Sequence, residues 1–151
     1  MKCTIFNPTR GQLCYSRITL DEVCQLLKDG TFRPNPTIPP TKKICFSAEW
    51  KKISGQTVLA NNNHLVLLQL RNLRDLATAE EYKHLAGLMP YTLLAFIGCN
   101  GRSVNIVCPY DAYDENEDNQ QQALTNAYSK LHFLYSSQFG TRLYESEPQF
   151  D

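Results

Sequence analysis

The run Leu65-Val66-Leu67-Leu68-Gln69-Leu70 constrains this chain most: it is short, almost wholly apolar, and bounded by Asn61-Asn62-Asn63 before it and Arg71-Asn72 after it. A strand with one wet face alternates apolar and polar residues, whereas a strand covered on both faces does not need to. Periodicity cannot separate such a run from a buried helix, but its brevity can, because helices need about 10 to 12 residues. The run beginning at His64 therefore reads as an inner strand with apolar cover on both sides.

The stretches that follow fix the order of elements. Thr78-Ala79-Glu80-Glu81 has the spacing of a capping box, and Tyr82, Leu85, Leu88 and Met89 follow at helical intervals until Pro90. Two strand-like runs, 93–99 and 103–108, flank Asn100-Gly101, whose residues tolerate the positive φ of a type I′ hairpin turn. Leu124, Ala127, Tyr128, Leu131, Leu134 and Tyr135 form a helical apolar stripe that stops before Gly140, and a last strand is expected near Arg142. From 64 to 145 the order is β-α-β-β-α-β, an α+β core of the ferredoxin-like or RRM-like kind.

Residues 1–60 read as an N-terminal β-α-β-hairpin extension. Thr19-Leu20-Asp21-Glu22 is another capping box, followed by Val23, Leu26 and Leu27, and Gly30 ends the helix. Pro34, Pro36, Pro39 and Pro40 remove amide donors from 33–43, so that stretch is an extended arm. Residues 44–50 read as one strand, and Ser54-Gly55 turns it towards a second at 57–60.

Lys plus Arg number 15 and Asp plus Glu also 15, so no overall field draws the chain to polyanions, and any such site must be local. The start has no apolar leader segment, and no run approaches the ~20 apolar residues that cross a bilayer. A cytoplasmic chain with no membrane partner is expected. The six cysteines, Cys3, Cys14, Cys24, Cys45, Cys99 and Cys108, contain no Cys-x-x-Cys pair and read as free thiols. His64, His84 and His132 supply no zinc spacing, so no metal and no cofactor are expected. Asp111, Asp114, Glu115, Glu117 and Asp118 lack the offsets of a calcium loop and read as a solvated loop feeding a helix N-terminus.

Several motifs carry a resemblance: Ile44-Cys45-Phe46-Ser47-Ala48-Glu49-Trp50, Gly55-Gln56, Leu67-Leu68-Gln69-Leu70-Arg71-Asn72-Leu73, Leu94-Ala95-Phe96-Ile97-Gly98-Cys99-Asn100-Gly101-Arg102-Ser103-Val104, and a closing helix with Phe139-Gly140. Together they resemble the VirE amino-terminal domain family, primase-like modules related to the archaeo-eukaryotic primases and found in bacterial mobile elements. The resemblance spans almost the whole chain and implies a single primase-like domain over 1–151.

It also implies acidic residues two apart on the central strand. Residues i and i+2 of a strand share a face, so two carboxylates there can hold divalent ions that neutralise charge during phosphoryl transfer. Here those places hold Gln69 and Arg71, and Asn105 stands where active relatives often have histidine. A neutral amide and a cation are poor hosts for Mg²⁺ or Mn²⁺, so a degenerate member with no catalytic residues is expected.

Lys51, Lys52, Arg71, Arg74 and Arg102 are the candidate nucleic-acid contacts, on one sheet face with Trp50 available to stack on bases. The expected role is a non-catalytic accessory module of a DNA-replication or mobile-element protein, with single-stranded nucleic acid or a helicase-like or other replication partner domain as its partner. Two alternatives stand beside it. One is a nucleotidyltransferase with a non-standard metal site built from Glu145, Glu147 or Asp151, and the other is a protein-interaction or oligomerisation domain with no nucleic-acid role.

Overall fold

In the computed structural model, which describes residues 1–9, 12–30, 43–111 and 117–145, the apolar run is strand β6, Leu65–Leu70. It pairs antiparallel with β8 (Val104–Pro109), which pairs antiparallel with β7 (Leu94–Ile97), giving the order β6-β8-β7. β6 and β7 are therefore parallel to each other, joined through helix α2 (Leu76–Leu88), with β8 inserted between them.

Both faces of this sheet are covered, as the composition of β6 requires. Val66, Leu68 and Leu70 join Val104, Ile106 and Cys108 on the face packed by α2 and by α3 (Glu117–Phe139), against Ala79, Ala86, Leu124, Tyr128 and Tyr135. Leu65, Leu67, Val107, Leu94 and Phe96 point the other way, onto Cys3, Ile5, Ile18, Val23 and Phe46. Each fully buried aliphatic side chain contributes about 1.5 to 3 kcal/mol, so the two layers stabilise the same strands additively.

The second layer comes from the first third of the chain. β1 (Lys2–Thr9) and β2 (Gln12–Thr19) form a hairpin, β3 (Lys43–Cys45) pairs on the other side of β1, and α1 (Leu20–Lys28) packs beside them. A separate two-stranded ribbon consists of β4 (Ala48–Ile53) and β5 (Gln56–Asn62). Asn63 ties the layers together: its side-chain amide donates to Lys2 O at 2.8 Å and Phe46 O at 2.9 Å, and its backbone N–H donates to Ser47 O at 2.8 Å.

The α+β class is as expected, and several details differ from the sequence reading. Two strands, not one, precede α1. The single strand expected over 44–50 is two strands in different sheets, because Phe46 turns into the core and the Ser47 carbonyl serves Asn63. The strand expected near Arg142 does not form among the described residues; that segment contributes one backbone bond, Tyr144 N–H to Gln69 O at 2.8 Å, on the outer edge of β6. Over the described residues the expected β-α-β-β-α-β order is thus only β-α-β-β-α. The proline arm, apart from Lys43, and Asp114 and Glu115 of the acidic loop lie outside the described residues.

The Thr19 capping box is formed, with Thr19 Oγ1 accepting from the Glu22 N–H and Glu22 Oε2 accepting from the Thr19 N–H. The second box is not. Asp75 is the N-cap of α2, accepting from the Thr78 N–H at 2.8 Å and the Thr78 hydroxyl at 2.7 Å, so the helix begins three residues before Thr78's end of the motif would place it. Those bonds from Thr78, followed by that from Arg74, hold the Asp75 carboxyl down at about 2.

A carboxylate with a depressed folded pKa stabilises above its unfolded pKa of about 4 and loses that contribution as pH falls through the folded value. Asp75→Ala is therefore expected to lower Tm at neutral pH, with the gap to the parent closing between about pH 4 and 2. Thermal melts of both proteins across that range check it, and a gap independent of pH contradicts it.

Candidate nucleic-acid interface

The register of the main sheet decides which polar groups meet. Gln69 lies opposite Asn105, and Phe96 lies on the other side of Asn105. Alternation along each strand puts all three on the face that carries Leu65, Leu67 and Val107. Phe46 of the N-terminal layer packs on Phe96 with ring centroids 5.9 Å apart. Two residues further along β6 the covered apolar surface has become polar, and Arg71 stands exposed just beyond the strand.

These polar groups form one chain. Arg71 Nη2 donates to Gln69 Oε1 at 2.6 Å, and Gln69 Nε2 donates to Asn105 Oδ1 at 2.7 Å. The Arg71 guanidinium lies over the Tyr144 ring, 3.6 Å from its centroid, a cation–π stack that restrains an otherwise mobile side chain. Tyr144 is in turn held by its bond to Gln69 O and by the Tyr128 hydroxyl, which donates to Tyr144 O at 3.1 Å. Gln69, Arg71 and Asn105, singled out separately in the sequence, are thus coupled directly.

The neighbouring hairpin borders this chain. Its turn is not the expected type I′ pair: Gly101 alone takes positive φ, at 70°, and its N–H donates to Gly98 O at 2.9 Å, which makes Cys99 and Asn100 the central residues. Asn100 Oδ1 accepts from the Arg102 N–H at 2.9 Å and the Ser103 hydroxyl at 3.1 Å, a local use of the asparagine side chain that replaces the positive φ. Arg102 acts as a strut, with Nε donating to Leu73 O at 2.7 Å and its own carbonyl accepting from the Leu73 N–H at 2.9 Å. Arg74 is exposed and paired with Asp75 at 2.9 Å.

Arg71, Arg74 and Arg102 therefore gather where the loop after β6 meets the β7–β8 hairpin. Lys51 and Lys52 do not share that face; they lie on the β4–β5 ribbon, in a different sheet. The five basic residues form two groups, because neither β3 nor β4 joins the main sheet and β4 pairs only with β5. Glu145 is engaged by Arg142, whose hydrogen bonds hold the carboxyl below its usual range, while Glu147 and Asp151 lie outside the described residues. Among the described residues, no three His, Cys, Asp or Glu side chains come together to hold a metal ion. Cys3, Cys24, Cys45, Cys99 and Cys108 are free thiols; burial pushes the Cys3 thiol up to about 11 and also raises Cys108. Both are poor nucleophiles for that reason.

Residues 39–151 match the family model described as BT4734-like, N-terminal domain. The chain belongs to the BT4734-like N-terminal domain family. No curated protein and no solved structure matches it. In this BT4734-like domain the matched span holds the whole polar chain and both basic groups, while β1, β2 and α1, which cover the far end of the same sheet face, lie before it. No helix among the described residues is long and apolar enough to cross a membrane.

Gly98, which the sequence places only inside the strand-like run 93–99, is a member of the site. A glycine inside a strand-like run is a signal of close approach, and here a Cβ on Gly98 would lie 2.1 Å from Ser103 Oγ and 3.4 Å from Asn105 Nδ2. Gly98→Ala is expected to cost roughly 1 to 3 kcal/mol through overpacking, and adding Ser103→Ala to recover most of it. Denaturant unfolding of the two variants checks this, and a single variant as stable as the parent contradicts it.

Proposed function

We propose that this domain is a primase-like accessory module of a DNA-replication or mobile-element protein, and that it binds single-stranded nucleic acid at the polar end of the β6–β8–β7 face without carrying out phosphoryl transfer. The likeness to the VirE amino-terminal domains supplies the primase-like part of this reading. The observation that carries it is the hydrogen-bonded chain Arg71–Gln69–Asn105, at the positions where the resemblance implies metal ligands in catalytic members.

Electrostatics favours a binding role over a metal-dependent one. A guanidinium about 5 Å from a divalent ion opposes it by roughly 7 kcal/mol at an effective dielectric of about 20, and solvent reduces that figure at an exposed residue without changing its sign. Among the described residues no group of three His, Cys, Asp or Glu side chains comes together to offset it. The same cation attracts a phosphate, and the exposed Arg71 guanidinium is held in place over the Tyr144 ring by its bond to Gln69. The half-buried Gln69 amide, positioned by buried Asn105 behind it, can meet a base edge as single-strand readers do, and the exposed part of Tyr144 offers a stacking surface.

A second reading, contact with a helicase-like or other replication partner domain, is favoured by Leu85, Leu88, Tyr91 and Leu93. These follow one another along the end of α2 and the turn after it, and all are exposed.

Binding of an unstructured oligonucleotide followed by anisotropy across salt tests the first reading. The parent is expected to bind with an affinity that falls with salt, and Arg71→Ala to lose about tenfold, with a salt slope lower by about 0.7, the value for one single-strand phosphate contact. Unchanged binding on Arg71→Ala contradicts the site. Incorporation of labelled nucleotides on a template with Mn²⁺ contradicts the non-catalytic part.

A further inference from the structure

The β4–β5 ribbon has no role in the single-strand site, and its construction points to a ligand of its own. Its base is fixed: Ala48 is buried, the Trp50 N–H donates to the hydroxyl of the fully buried Thr4 at 2.9 Å, and Glu49 pairs with Arg17 at 2.9 Å. A register shift between Glu49 and Trp50, the mark of a β-bulge, lies where the ribbon leaves this anchor. Beyond it every residue over 51–57 is exposed, including Ile53. The tip is narrow, because Ser54 at φ 50° and Gly55 at φ 82° close a two-residue turn between Ile53 and Gln56.

The outer part of the ribbon, over 51–57, has neither face covered and gains little from burial, and a two-stranded ribbon is marginal in isolation. What it presents is charge on both faces. Lys51 lies opposite Val58 and Lys52 opposite Thr57, and neighbours along a strand point to opposite sides, so each face carries one lysine. The ribbon's acid, Glu49, sits at the base and is paired. A flat anionic surface laid against one face would meet a single lysine. A ligand with phosphates along both sides of the ribbon meets both.

We propose that the β4–β5 ribbon enters the major groove of duplex DNA, with Lys51 and Lys52 reaching the phosphates of opposite walls. The major groove of B-form DNA is about 12 Å wide and admits a two-stranded ribbon, whereas the deep, narrow major groove of A-form RNA does not admit side chains. This proposal is separate from the single-strand site and stands or falls without it.

The test measures binding of a short DNA duplex, the matching RNA duplex, an unstructured oligonucleotide, and phosphatidylserine-containing vesicles across salt. Trp50, the chain's single tryptophan, sits at the ribbon's base and provides the fluorescence signal. The parent and the Lys51→Gln/Lys52→Gln double variant are compared, with Tm measured to confirm that both fold. The expected result is DNA duplex binding in preference to RNA duplex, with the salt slope of the double variant lower by about 2, given about 0.9 per phosphate contact, and binding of the unstructured oligonucleotide unchanged. The proposal is overturned if the parent does not bind the DNA duplex at low salt, if the slope is unchanged in the double variant, if RNA duplex binds equally well, or if the lysines are needed for vesicles and not for DNA. Loss of oligonucleotide binding on Arg71→Ala leaves the ribbon's result untouched, so the two sites fail separately.

Discussion

Burial of β6 on both faces is the constraint from which the rest of the architecture follows. A strand with leucine or valine at five of its six positions must be covered twice, and α2 and α3 can cover only one side. The N-terminal hairpin, β3 and α1 supply the other cover, and Asn63 sets their position with three hydrogen bonds to backbone carbonyls of two different segments. Leaving those carbonyls without a donor would cost about 1 to 3 kcal/mol each where they are buried, comparable with the loss of a buried side chain. On the helix face, Thr92, Tyr135 and Cys108 link the end of α2, α3 and β8 through hydroxyl and thiol contacts, and burial suppresses ionisation of the Tyr135 hydroxyl.

The cover on the second face is apolar only over the Leu65 and Leu67 end. At Gln69 the strand's alternation continues but its chemistry changes, and the groups that follow satisfy one another: guanidinium to amide, amide to amide. A polar chain at the boundary of a covered sheet avoids leaving a donor or acceptor unmatched, and at its open end it places a cation against an aromatic ring. The segment after α3 takes part as well, because Tyr144 supplies both the ring and one backbone bond to β6.

Features governed by neighbours in sequence were legible beforehand. The Thr19–Glu22 capping box, the stop at Gly140 with its positive φ, the Ser54-Gly55 turn and the buried character of β6 all follow from local chemistry. Features governed by distant partners were not. Thr78 looked like a cap because its motif is complete, yet Asp75 offers a stronger acceptor three residues earlier and takes both Thr78 donors. Residues 44–50 alternate like one strand, but the side-chain demand of Asn63 and the burial of Phe46 break them in two, and that break puts Lys51 and Lys52 on a ribbon apart from the sheet that holds β3. The coupling of Gln69 to Asn105 depends on a register that no single run encodes, and the stack of Arg71 on Tyr144 joins residues at opposite ends of the core.

The central claim is that the two sheet faces differ in kind, with a sealed helix side and a ligand-facing polar end on the other side. Its most direct measurement is a heteronuclear NMR titration with an unstructured oligonucleotide, following the side-chain amide resonances of Gln69 and Asn105 together with the methyl groups of Leu68 and Ile106. The account predicts saturable shifts of both amides while the methyls on the helix side stay in place. Shifts confined to the helix side, with both amides unmoved at saturation, would contradict it.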